Sequence, residues 1–239
     1  TSVSGLDFAD SWARRNRAFT ARGRLRFGHA WGGYVKPSPQ LYATHPEWWA
    51  RDREGNIRYY DKPTGSSVTN FCSTNPEVIE MVARKVNALF DAHPDRVIAS
   101  LEPNDASPMC LCDRCLALDR RFGQADPDGT QVADRLLWFS QQIADRLEPR
   151  HRDKQLGLLI YMYQMEPPLT VRPHARHVAA ICDMTWVYDH TRPFNDPTSP
   201  PNREFLRQLR GWRKVLSGEM GFYDYYGHWG ALGPWPIVH

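Results

Sequence analysis

The sequence predicts an α/β fold built on a parallel sheet, of the (β/α)8-barrel type. Apolar, strand-like runs alternate with helix-like segments along the chain, an order that is typical of parallel sheets. Polar side chains suited to chemistry follow these runs, and the sites of such folds lie at that edge of the sheet. The strand-like runs are residues 24–30, 96–101, 155–163, 178–188 and 218–226. A closed barrel needs eight strands, so either this pattern misses some strands or the chain is part of a longer protein. We expect residues 1–239 to form a single barrel domain that is incomplete or part of a longer chain.

Helical segments separate the predicted strands. Residues 4–20 place aromatic side chains among charged ones, which favours an amphipathic helix. Asn75, followed directly by a proline, is a strong helix start, and apolar residues then recur on one helical face. A second long helix is expected over residues 130–147, where a proline follows and ends it. Asn202 is expected to cap the last helix.

Composition and charge exclude two classes of partner. The net charge is +3, and the basic residues are dispersed along the chain instead of forming a stripe, so no nucleic-acid partner is expected. No stretch approaches the ~18 apolar residues of a membrane span. No signal peptide is visible at Thr1. Aromatic residues make up 12% of the chain, and many follow strand-like runs, where they suit either sugar binding or core packing.

The stretch over residues 96–115 is the centre of the functional prediction. A buried strand is followed by Glu102, Asn104 and Asp105 on a loop bounded by prolines. Glycoside hydrolysis requires two carboxyl groups, one that donates a proton and one that attacks carbon or activates water. We expect Asp105 and Asp224 to be this pair, with Glu102 in reserve. The alternative for each is a structural carboxylate in a turn, a cap or a salt bridge.

The expected sugar-binding side chains are mostly rings and amides at the ends of predicted strands. Aromatic rings pack on the C–H faces of sugars, and histidine or asparagine can bond to hydroxyl groups. Core packing is the alternative for each ring. The predicted substrate-binding residues are His29, Trp31, Asn104, Tyr163, Trp186, Tyr188 and Tyr225.

The cysteines form a second predicted feature. Cys110, Cys112 and Cys115 lie close together in sequence, and Cys72 precedes a helix that can bring it to them. Four thiolates at such spacing are typical of a structural zinc site. A disulfide between Cys72 and the cluster, in an exported protein, and reduced buried thiols are the alternatives. Cys182 falls within a predicted strand and is expected to be a core residue.

An ordered set of motifs resembles one protein family. The motifs are H-P-E-W at residues 45–48, C-S-T-N-P-E-V at residues 72–78, P-N-D at residues 103–105, the cysteine cluster, and Y-D-Y-Y-G at residues 223–227. Bacterial proteins with the DUF4838 domain carry a similar set. The resemblance implies a glycoside-hydrolase-like (β/α)8 barrel, related to the barrels of α-glucuronidases and hexosaminidases, in an exported protein of the periplasm or the extracellular space. Asp224 departs from the pattern, because the family often has glutamate there.

Together, these observations predict an enzyme that hydrolyses glycosidic bonds of a poly- or oligosaccharide. The expected site lies at the carboxyl ends of barrel strands, and a structural zinc ion is the expected cofactor. The alternative is a non-catalytic carbohydrate-binding protein, or a structural or assembly protein, on a degenerate barrel. A carbohydrate is the expected partner.

Overall fold

A parallel sheet forms the centre of the structure, a computed structural model that describes residues 28–61, 67–182, 189, 191–193 and 195–223. A short antiparallel hairpin of β1 and β2 precedes this sheet. In chain order, the strands are β1 (Tyr60–Asp61), β2 (Ser67–Val68), β3 (Ile98–Ser100), β4 (Gln155–Ile160), β5 (His177–Cys182) and β6 (Met220–Tyr223). The last four strands form the sheet in the order β3-β4-β5-β6, and each neighbouring pair is parallel.

Helices precede β1 and lie between β2 and β3, between β3 and β4, and between β5 and β6. In chain order, they are α1 (Trp31–Tyr34), α2 (Pro39–Thr44), α3 (Pro76–Ala92), α4 (Asp113–Arg121), α5 (Ala133–Ala144) and α6 (Pro200–Val215). Short 3-10 turns cover Pro46–Trp48, Pro149–His151 and Met162–Gln164. The predicted α/β class with a parallel sheet is therefore confirmed, and closure of the sheet into a barrel stays a prediction.

Local sequence explains where two of the helices begin. Asn75 precedes α3, and its side chain accepts hydrogen bonds from the backbone N–H groups of Glu77 and Val78, as predicted. The predicted cap of α6 is wrong: this helix begins at Pro200, and Asn202 lies inside it. The Asn202 side chain instead accepts a bond from the backbone N–H of Asp189, so its amide fixes the preceding loop.

The strand over residues 155–163 ends earlier than its apolar pattern predicts. β4 stops at Ile160, because Met162 adopts a left-handed backbone conformation with φ of 44° and begins a 3-10 turn. Residue pairing along β3, β4 and β5 is regular, with Ala99 opposite Leu156 and Leu158 opposite Ala179. Chain neighbours are therefore also neighbours in the sheet.

Helices cover one face of the sheet with apolar side chains. Leu158 and Ile160 point toward α6, where they share a buried cluster with Phe205 and Trp212. Burial of a large apolar side chain contributes roughly 1.5–3 kcal/mol, so this face anchors α6 firmly. A second cluster joins α3 and α5 to β3 and β4. Leu159, Ala180 and Cys182 form a separate buried group, since neighbouring residues of a strand point to opposite faces.

Membrane insertion of a helix finds no support in the described part of the chain, where every helix is too short or too polar to cross a bilayer.

Candidate functional site

A small cavity lies where β3 and β4 end. Its walls are residues 102–106 after β3, residues 161–163 after β4, and the side chains of His29 and Leu136. The empty space is about 240 Å³, including solvent at the mouth. His29 pairs with Glu102 through a parallel β-bridge, which places it beside the carboxyl end of β3. The cavity thus occupies the edge of the sheet at which the sequence predicted a site.

Glu102 is a buried acid in the wall of this cavity. Its Oε2 accepts a bond of 2.8 Å from the backbone N–H of Leu159, and its Oε1 accepts one of 2.6 Å from the side-chain amide of Gln164. Burial raises the pKa of Glu102 from about 4.5 to about 8, although both hydrogen bonds oppose the shift. At neutral pH, the Glu102 carboxyl group therefore carries a proton for most of the time.

Asp105 is the exposed acid of the same cavity, with 56% of its side chain open to solvent. Tyr161 forms a hydrogen bond with it, and burial followed by the Asp105 charge raises the pKa of this tyrosine to about 12. The Tyr161 hydroxyl therefore keeps its proton and donates a hydrogen bond to the Asp105 carboxylate. The two acids, Glu102 and Asp105, differ sharply in their surroundings.

The His29 ring is held by the backbone, and one of its nitrogen atoms faces Asp105. Its Nδ1 lies 2.6 Å from the carbonyl oxygen of Pro103, and a carbonyl only accepts, so Nδ1 must carry the hydrogen. The opposite nitrogen, Nε2, lies 3.5 Å from Oδ1 of Asp105. This gap is longer than a good hydrogen bond. Nε2 is thus the ring nitrogen that faces Asp105 and the cavity, where it can meet a ligand hydroxyl.

Asparagine side chains hold the loop that carries Asp105. Asn104 Oδ1 accepts from the backbone N–H of Gly32 at 2.8 Å, and its Nδ2 donates to the Thr69 carbonyl at 2.9 Å. The backbone N–H of Asn104 donates to Oδ1 of Asn70 at 2.9 Å. Asn70 Nδ2 donates in turn to the carbonyl of Ser107. Asn104 was predicted to bind substrate, and the structure uses its amide to position the loop.

Backbone strain is concentrated at the cavity. Ala106 and Met162, both in its wall, have φ of 53° and 44°. Left-handed backbone at a residue other than glycine costs of order 1–3 kcal/mol and persists only where the surroundings impose it. Such strain often accompanies functional sites. Here it sits on the two loops that carry Asp105 and Tyr161.

The predicted substrate-binding rings have different positions in the structure. Tyr163 lines the cavity, half-buried. Trp31 is fully buried: it stacks on Phe71 at 3.9 Å between ring centroids, and its Nε1 donates to the Leu101 carbonyl. Trp31 is therefore a core residue that fixes the end of β3. The predicted site residues Asp224, Trp186, Tyr188 and Tyr225 lie outside the described residues.

Tyr161 is a cavity residue that the sequence prediction did not include in the site. Tyr161 lies beside both Asp105 and His29. It bonds to Asp105, and its ring centroid lies 6.0 Å from that of His29. Its position directly after the apolar run that forms β4 could have identified it. The predicted strand continued through Tyr163, so Tyr161 was placed inside the strand and not at its carboxyl end.

The predicted metal-ligand cysteines do converge. Cys72, Cys110, Cys112 and Cys115 bring their sulfur atoms within 4.8 Å of one another. Cys72 Sγ lies 3.7 Å from the sulfurs of both Cys112 and Cys115. A disulfide requires about 2.05 Å, so no pair lies at disulfide distance and all the cysteines of the cluster are free thiols. Four thiolates about 2.3 Å from a tetrahedral ion would lie roughly 3.8 Å apart. The cluster could therefore hold a metal ion.

A hydroxyl group and a backbone N–H group lie within hydrogen-bonding distance of the sulfurs. The hydroxyl of Thr74 lies 3.3 Å from Cys72 Sγ and 3.2 Å from Cys115 Sγ. The backbone N–H of Arg51 donates to Cys110 Sγ at 3.4 Å. Hydrogen bonds among the thiols lower the pKa of Cys112 and, with burial, raise that of Cys110. Cys112 is thus the member of the cluster whose thiol ionises most readily.

One comparison with known proteins finds a match. A family model described as "Domain of unknown function (DUF4838)" matches residues 7–239. The matched range includes the cavity and the four-cysteine cluster. No curated protein and no solved structure is similar enough to the chain to count as a match.

Proposed function

The chain belongs to the DUF4838 family, and we propose that it is a carbohydrate-active enzyme that hydrolyses glycosidic bonds of a poly- or oligosaccharide. One observation carries the proposal: two carboxyl groups in opposite environments, Glu102 and Asp105, line a single cavity at the carboxyl edge of a parallel sheet. Glycosidases work with one proton-bearing acid and one carboxylate across the scissile bond.

Each carboxyl group has a role that suits its surroundings. Asp105 is open to solvent and takes the part of the carboxylate that attacks carbon or activates water. Glu102, with its raised pKa, can carry the proton for the leaving oxygen. Asp224, which directly follows β6 in the sequence, is the alternative to Glu102 as the partner of Asp105. Tyr161 bonds to Asp105, and His29 lies beside it, so that both can offer partners for sugar hydroxyl groups.

The proposed scaffold is part of a (β/α)8 barrel. Parallel strands in strictly sequential order are the arrangement of such a barrel, whereas doubly wound sheets reverse order at a switch point. Two buried layers support the same proposal. One faces the helices, and the other, formed by Leu159, Ala180 and Cys182, corresponds to a barrel interior.

A second candidate function is carbohydrate binding without catalysis. The observation in its favour is that both Glu102 oxygens already accept bonds from Leu159 and Gln164. A general acid must reach the substrate with one of these oxygens. If Glu102 only ties the ends of β3 and β4 together, and if Asp224 is no acid partner, Asp105 is a ligand for hydroxyl groups and nothing more.

A substrate panel with matched variants separates the two functions. Purified protein is tested on aryl glycosides and for the release of reducing ends from polysaccharides. For any substrate cleaved, D105N should reduce kcat by at least about a hundredfold, since the reacting carboxylate is lost. E102Q and D224N identify the second acid. D128N is the control, because Asp128 is an exposed turn residue that bonds to Thr130. Activity of D105N at the wild-type level would rule the mechanism out.

We also propose that the four-cysteine cluster holds a structural zinc ion. The donor set, the spacing of the sulfurs and the absence of an open coordination position on a four-thiolate ion fit a closed site. Elemental analysis should find about one zinc per chain, and C72S should lose it. C182S is the matched control, because Cys182 is equally buried but belongs to β5. A wild-type protein free of zinc after purification in zinc-containing medium would contradict the proposal.

A further inference from the structure

We propose that Arg135 is a positioning residue of the four-cysteine centre, and that its positive charge serves the thiolates and not only its neighbour Asp119. The inference rests on the zinc site proposed above. A positioning residue of this kind does not touch the ion. It holds the ligands and lowers the electrostatic cost of collecting their negative charges in one place.

The burial of Arg135 is what requires an explanation. Its side chain is 0% exposed, and a buried guanidinium is costly unless opposite charge and hydrogen bonds surround it. Asp119, equally buried, approaches it with Oδ1 3.4 Å from Nε. That contact is loose. Within the described residues, Nε and Nη2 of Arg135 and both oxygens of Asp119 lack a hydrogen bond of good geometry. Asp119 alone does not satisfy this cation.

The cysteine cluster provides a further partner for the guanidinium of Arg135. Nη1 of Arg135 donates to the carbonyl oxygen of Cys110 at 2.7 Å. Cys115, Cys110 and Cys72 lie close enough to Arg135 for their sulfurs, once they are ionised, to interact with its guanidinium. Four thiolates around a divalent ion leave a net charge of −2. Arg135 therefore lies where that excess charge needs a buried counter-charge.

The position of Arg135 also connects the metal centre to the cavity. Arg135 belongs to α5, and the next residue, Leu136, lines the cavity wall. The bond from Arg135 to Cys110 ties the ligand loop to this helix. Outer-shell partners of metal ligands typically change metal affinity by 10–100-fold when they are removed. We expect that range here.

Zinc affinity measured by chelator competition tests the inference without reference to any activity. R135M should bind zinc 10–100-fold more weakly than the wild type. R146M is the matched control, because Arg146 pairs with Glu80 at the surface, and it should stay within twofold. Absorption of the cobalt-substituted protein gives a second readout, since loosened thiolate ligands shift and weaken the sulfur-to-cobalt bands.

The double variant R135M/D119N decides between the two roles of Arg135. It removes the buried pair together, which avoids leaving an unpaired charge in the core and so favours folding. If Arg135 serves the thiolates, the double variant should still bind zinc at least tenfold more weakly than the wild type. Wild-type affinity of the double variant, or of R135M, would overturn the inference while leaving the zinc site in place. A wild-type protein without zinc would overturn both.

Discussion

Removal of the Asn104 side chain should destabilise the whole protein, not only the cavity. Asn104→Ala deletes the acceptor for the Gly32 N–H and the donor to the Thr69 carbonyl, at 2.8 and 2.9 Å. A buried backbone group left without a partner costs about 1–3 kcal/mol. Both bonds are part-buried, so the lower half of that range applies to each. The expected loss in the free energy of unfolding is about 2–4 kcal/mol.

Urea unfolding followed by circular dichroism measures this loss. With a slope near 2 kcal/mol per M, typical of proteins of this size, the midpoint should fall by about 1–2 M. Asn56→Ala is the matched control, because Asn56 makes its bonds to Asp52 at the surface. Its midpoint should move by less than about 0.3 M. An Asn104→Ala midpoint as close to the wild type as that of the control, at unchanged slope, would refute the reasoning.

Three further outcomes follow from the structure and from the proposed zinc site. On that proposal, removal of zinc with a chelator should lower the thermal midpoint by about 10 °C, measured by scanning calorimetry against the zinc-saturated chelator, because an ion that binds only the folded state stabilises it. Glu102 has a raised pKa of about 8 when folded, so the folded protein holds a proton that the unfolded chain has lost above pH 4.5. Stability should therefore fall between about pH 5 and pH 8, by up to about 1.4 kcal/mol per pH unit, and E102Q should remove that part of the slope in urea titrations. Gly218→Ala should destabilise by at least about 2 kcal/mol in the same titrations, since its Cβ would overlap the His177 carbonyl; an unchanged midpoint would contradict the packing there.

Apolar pattern and helix-start chemistry made most of the sheet predictable. The near-continuous apolar run from residue 155 is the pattern of a strand covered on both faces, and β4 is such a strand. Asn75 was predictable as a cap, because its bonds are local. The cap of α6 was not predictable. Asn202 satisfies a cap pattern, but its amide bonds to Asp189, and no local signal shows a contact between different parts of the chain.

The site was predictable in its residue types and only partly in its geometry. Strand exits located Asp105 and Glu102, because parallel strands bring their carboxyl ends to one edge. Sequence could not show that Glu102 is buried and bonded to Leu159. Its partners belong to β4 and to the turn that follows β4, which are distant from it in the chain. Nor could the sequence show that Trp31 is buried. A tryptophan after a strand suits a binding wall or a core, and packing against Phe71 decides the case.

The sequential order of the parallel strands has a consequence for how the protein is made. Each of β4, β5 and β6 pairs with the strand synthesised just before it. A nascent chain can therefore add one strand at a time to a growing edge as it leaves the ribosome, without waiting for a distant partner. Sequential order thus avoids any pairing between strands that are far apart in the order of synthesis.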